Sequence, residues 1–77
     1  MTRYYFDMEV DGKKTLDEEG MELADIEAVQ AEASRSICDM SKDLFRRRMS
    51  PQLAIEVRDE LGPIMRASIK FDFKRFY

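Results

Sequence analysis

The residues of this chain that could do chemistry fall in four places. An acidic run, Asp17-Glu18-Glu19-Gly20, could offer oxygens to a hard cation. A lone thiol, Cys38, could serve as a nucleophile. Arg46-Arg47-Arg48 could meet phosphate, with Lys42 one helical turn earlier. The closing stretch Lys70-Phe71-Asp72-Phe73-Lys74-Arg75-Phe76-Tyr77 interleaves bases with aromatics, as binders of single-stranded nucleic acid do.

Each of these has a plainer explanation. A calcium loop needs several oxygens at fixed spacing, with alternating acids and a late Glu, and that spacing is absent. The acidic run therefore reads as a solvated turn whose charges favour the start of the helix that follows. The sequence holds no histidine, which removes the commonest general base, triad member and zinc ligand. Cys38 then has no partner for thiol chemistry and reads as a small packing residue. Three bases at a helix end suit the helix dipole and the nearby Asp39 and Asp43. No cofactor, metal or catalytic residue is expected. Arg46, Arg47, Arg48, Lys74 and Arg75 stay as candidate phosphate contacts.

Length and composition narrow the class further. With 77 residues, 44% hydrophobic and 38% charged, the chain can build one compact core and little more. A single domain over 1–77 is expected, with 74–77 as a mobile or partner-bound tail. The net charge of -3 offers no global attraction to phosphate. One cysteine allows no internal disulfide and fits a reducing cytoplasm. The first residues lack the apolar core of a signal peptide, and no stretch is long enough to span a membrane.

The elements that must position these residues follow from hydrophobic spacing. Over residues 3–10, Tyr4, Phe6, Met8 and Val10 alternate with Arg3, Tyr5, Asp7 and Glu9, the period of a half-buried strand. Asp11-Gly12 supplies a turn. A short strand at Thr15-Leu16 or at Met21-Glu22-Leu23 would fit the irregular segment 13–24. Asp25 caps a helix on which Ile26, Val29, Ala33, Ile37, Met40 and Leu44 form one stripe. Pro51 ends that helix near Met49. Leu53, Ile55 and Val57 alternate with Ala54, Glu56 and Arg58. After a turn at Asp59–Gly62, Met65, Ala67, Ile69, Phe71 and Phe73 alternate with charged or polar residues. The expected fold class is α+β: a three- or four-stranded antiparallel sheet, order β(β)αββ, with one long amphipathic helix on one face.

A second helical row lies beside the main stripe. At about 100° per residue, Ala31, Cys38 and Phe45 line up, with Ser34 and Ser41 between them. This flank is expected to be covered, either by the C-terminal aromatics or by a second chain.

A family pattern runs through the same residues. Arg3-Tyr4-Tyr5-Phe6, Asp11-Gly12, Asp17-x-Glu19-Gly20, Leu23-x-Asp25 and Ala28, Ala31 and Ala33 resemble a family of short bacterial proteins known only as a domain of unknown function. The likeness continues through Val57-x-Asp59-x-x-Gly62, to about Phe73. It implies a bacterial, cytoplasmic protein and a shaping role for Asp17 and Glu19 around Gly20; it brings no activity, cofactor or site residue. Lys74-Arg75-Phe76-Tyr77 is not part of the pattern. At the level of fold, the aromatic strand, acidic Gly-containing segment and Ala-rich helix also look like the small domains of HicB-type antitoxins, which does not fix function.

The expectation from sequence is a non-enzymatic protein-interaction or regulatory domain, forming a homodimer or binding another protein, with no membrane partner. The candidate surface is Ala31, Cys38, Phe45, Phe76 and Tyr77. The alternative is a nucleic-acid-binding or HicB-antitoxin-like module that uses Arg46, Arg47, Arg48, Lys74 and Arg75.

Overall fold

The computed structural model describes residues 1–46 and 52–77. It is an α+β fold with five strands and one helix: β1 (Thr2–Val10), β2 (Lys13–Thr15), β3 (Met21–Leu23), α1 (Ile26–Phe45), β4 (Gln52–Asp59) and β5 (Gly62–Lys70). The sheet is antiparallel, in the order β2-β1-β4-β5, and β3 also pairs with β1. The segment 13–24 therefore holds two short strands where one was expected: Met21–Leu23 is one of the two expected alternatives, and Lys13–Thr15 shares only Thr15 with the other, Thr15-Leu16.

The chain turns from β1 into β2 at Asp11 and Gly12, both with positive φ. That is the geometry of a two-residue hairpin turn whose twist matches the strands it joins. Asp11 also anchors the start of β4: its N–H donates to the Gln52 carbonyl at 2.8 Å, and its Oδ1 accepts the Gln52 N–H at 2.9 Å.

Residues 13–23 run back along β1 as one interrupted strand. Thr15 faces Met8, and Met21 faces Tyr4. Six steps on the returning chain thus match four on β1, and the two surplus residues form a loop between β2 and β3. Gly20 closes that loop at φ +74, where an L side chain is strained. There is also no room for one. A Cβ at Gly20 would sit 2.9 Å from Tyr5 Cε1 and 3.0 Å from both Arg3 Cγ and the Tyr4 carbonyl oxygen.

Asp25 caps α1 as its position suggests: it is extended, and its Oδ1 accepts the Ala28 N–H at 2.8 Å. The helix packs chiefly over β4 and β5 and reaches β3. Val29, Ala33 and Ile37 enter the core with Tyr4, Leu53, Ile55 and Val57, and Met40 and Leu44 pack against it in part. Ile26 departs from the expected stripe and is 52% exposed. The described helix ends at Phe45, and its expected continuation to Met49 lies outside the described residues.

The last strand also stops earlier than alternation suggests. Met65, Ala67 and Ile69 pack against the core, but β5 ends at Lys70. Phe71 is half-buried, and Phe73 is 55% exposed. Their expected place in the core is corrected: β5 ends at Lys70, which pairs with Gln52, the first described residue of β4.

Replacing Gly20 by Ala is expected to destabilise the domain by about 2 kcal/mol or more, from left-handed strain plus overlap with the Tyr5 ring. A urea midpoint lower than that of the native chain by the corresponding amount checks this.

Candidate interaction surfaces

The acidic residues come together first, and not as a solvated turn. Asp7 belongs to the row read as solvent-facing, yet only 1% of it is exposed. The loop after β2 covers it: the Asp17 N–H donates to Asp7 Oδ1 at 2.8 Å. From β4, Arg58 Nε donates to Asp7 Oδ2 at 2.8 Å, and its Nη2 donates to the Asp17 carbonyl at 2.9 Å. The Arg58 guanidinium lies over the Tyr5 ring, 4.5 Å from its centroid.

The carboxylate of Asp17 is fully engaged as well. Its Oδ2 accepts the backbone N–H of Phe6 at 3.1 Å, and its Oδ1 accepts those of Glu19 and Gly20 at 3.1 and 3.2 Å. Burial pushes this carboxyl's pKa up, but the N–H groups of Phe6, Gly20 and Glu19 and the charge of Arg58 outweigh burial and hold it below its ordinary value. Asp17 thus shapes the loop through its side chain, whereas Glu19 takes part only through its backbone N–H and carbonyl. Asp7, Arg58 and Tyr5 were missed as partners. The signal that could have found them is an opposite-charge pair, Asp7 and Arg58, on the same face of two strands.

The rest of the outer sheet face closes on itself. Arg66 reaches from β5 across β4, with Nη2 2.7 Å from Glu9 Oε2 and Nη1 3.5 Å from Glu56 Oε2. Lys14 Nζ meets Glu56 Oε1 at 3.1 Å. Ala54, in register with Glu9 and Ser68, is buried under this bridge. Such exposed pairs are worth about 0–1 kcal/mol each, but they leave a polar, self-satisfied surface.

The inner face is less complete. Because α1 lies over β4 and β5, the end of the sheet at β1 and β2 stays open. Met8 is 42% and Leu16 59% exposed there. Together with Phe6, Thr15 and the loop residues Asp17, Glu18 and Glu19 they line a hollow of about 370 Å³. Glu18 and Glu19 are exposed at its rim.

The expected surface residues fall in two separate places. On the helix flank, Ala31 and Cys38 are exposed. The packing role expected for Cys38 is therefore corrected, since among the described residues none buries it. The side chain of Phe45 lies outside what the structure describes. Phe76 and Tyr77 are 88% and 95% exposed, so within one chain these two do not cover the flank.

Of the candidate phosphate contacts, Arg46, Lys74 and Arg75 are exposed, and Arg47 and Arg48 lie outside the described residues. Arg75 stacks on Tyr77, 4.4 Å from the ring centroid. Lys42 and Arg46 line a hollow of about 450 Å³ with Ser41 and Phe71, where the flank meets the end of β5. Among the described residues there is no group of three or more Cys, Asp or Glu placed to hold a metal ion, and no helix long and apolar enough to cross a membrane.

This geometry defines a small α+β domain with one helix on an antiparallel sheet. The chain belongs to the family described as Domain of unknown function (DUF6894), whose model matches residues 3–70. The match ends with β5, so residues 71–77 lie beyond the unit that the family shares. No curated protein and no solved structure matches the chain.

The lowered pKa of Asp17 fixes the sign of a pH effect. A carboxyl held below its unfolded value, about 3.9, stabilises the fold above that pH and loses the effect as pH falls through the folded value. Asp17→Asn is expected to be less stable than the native chain at neutral pH. That gap should close as the pH falls below about 4, read as the difference in thermal midpoint across a pH series.

Proposed function

We propose that this domain is a non-enzymatic protein-interaction or regulatory module of a bacterial cytoplasm that works as a homodimer. The observation that carries the reading is the segment after β5, which holds Phe76 and Tyr77 almost fully in solvent. Large exposed aromatics on a small acidic domain mark a surface that another molecule covers. The acids add support from the other side. Both oxygens of Asp7 and of Asp17 are spent on backbone and guanidinium contacts, so neither is poised for acid–base work. An exposed single thiol, Cys38, fits a reducing compartment.

One observation favours a second reading, a nucleic-acid-binding or HicB-antitoxin-like module. Lys42 and Arg46 stand beside the Phe71 ring, an arrangement suited to a phosphate and a stacked base. The net charge of -3 weighs against it.

Light scattering separates the two. The chain alone, over a range of concentrations, is expected to show a mass that rises to that of a dimer. With a short single-stranded oligonucleotide at low salt, the mass should not change. A constant monomer mass contradicts the first reading, and a complex that dissolves steeply with added salt supports the second.

A further inference from the structure

We propose that the segment after β5 of one copy seats its aromatic residues in the acid-rimmed hollow at β1 and β2 of a second copy. This rests on the self-association proposed above and names the two surfaces that meet.

The hollow has a floor and a rim of different character. Phe6, Met8 and Leu16 form an apolar floor, of which Met8 and Leu16 are exposed while Phe6 also packs against the core. Glu18 and Glu19 stand exposed beside it. Asp17 takes no part, since its carboxylate is held by the backbone of Phe6, Glu19 and Gly20. A hollow of about 370 Å³ falls within the range of small-ligand pockets, about 300–1,000 Å³, which suits an aromatic side chain.

The segment has the complementary pattern. Phe73, Phe76 and Tyr77 are 55%, 88% and 95% exposed, and Lys74 and Arg75 lie between them. Its aromatics match the floor, and its bases match the rim. Two of the chain's other surfaces fit it worse. The hollow at the helix end is lined by Lys42 and Arg46, which would repel Lys74 and Arg75. The outer sheet face is polar and already paired through Glu9, Arg66, Glu56 and Lys14.

Topology argues for a second copy. The segment leaves from β5, at one edge of the sheet, whereas the hollow lies at β2, the other edge. Three strand spacings, about 14 Å, separate them, with the helix in between on the face that carries the hollow; seven extended residues could span about 23 Å, yet within one chain Phe76 and Tyr77 stay in solvent. Two copies can satisfy each other reciprocally: each gives a segment and receives one, which closes a two-fold dimer with no free site left over.

Charge reversal tests the pairing in the full chain. One variant carries Glu18→Lys and Glu19→Lys; a second carries Lys74→Glu and Arg75→Glu. Each alone is expected to weaken dimerisation by about tenfold or more, read from the mass as a function of concentration. An equimolar mixture of the two should regain dimers, because each segment then meets a hollow of opposite charge. A third variant, Phe76→Ala with Tyr77→Ala, should be monomeric with unchanged circular dichroism. If the native chain dimerises and all three variants do so equally well, this pairing is wrong while self-association stands. If the native chain stays monomeric throughout, both fall. If the Glu18→Lys, Glu19→Lys variant shifts the amide resonances of Phe76 and Tyr77 relative to the native chain even at concentrations where both are monomeric, the segment docks on its own chain, which also overturns the proposal.

Discussion

Between the stretches that pair with β2 and with β3, strand β1 presents a backbone N–H at Phe6, and the Asp17 carboxylate meets it in place of a strand. Most of the molecule depends on that substitution. An unpaired N–H in a half-buried strand costs about 1–3 kcal/mol, so the gap must be filled. Asp17 fills it while its other oxygen ties down the N–H groups of Glu19 and Gly20. One side chain thus makes the two surplus residues of the loop compatible with an unbroken edge. Gly20 is the steric counterpart, since its bare backbone lies against the Tyr5 ring.

The same loop sets the character of both sheet faces. On the outer face its backbone seals Asp7, which takes Arg58 as its charge partner, and Arg58 in turn lies flat on Tyr5. Strands β1 and β4 and the loop are so locked by a polar cluster where a small core has little apolar area to spend. On the inner face the loop brings Leu16, Glu18 and Glu19 beside Phe6 and Met8. A fold-stabilising contact and an open, acid-rimmed hollow are two consequences of one turn.

The elements with a clear period were legible in the sequence. Alternation placed β1, β4 and β5, and the three-and-four spacing with Asp25 as its cap placed the helix. Local rules failed where distant partners decide. Asp7 read as solvent-facing because strand period assigns a face and cannot say what covers it. Asp17 read as one acid of a solvated run because its partners, Phe6 and Arg58, are far away in sequence. Phe71 and Phe73 keep the strand period beyond Lys70, where β5 ends. The helix flank at Ala31 and Cys38 was found as a row, but the guess that Phe76 and Tyr77 cover it within one chain did not account for how far β5 carries them.

The claim that one carboxylate stands in for a strand is tested most directly by amide hydrogen exchange at Phe6, Glu19 and Gly20. If Asp17 holds these three N–H groups, they should exchange as slowly as the neighbouring amides of the sheet, although two of them sit in a loop. Exchange of all three at the rate of an open surface loop, with the rest of β1 protected, would contradict the account.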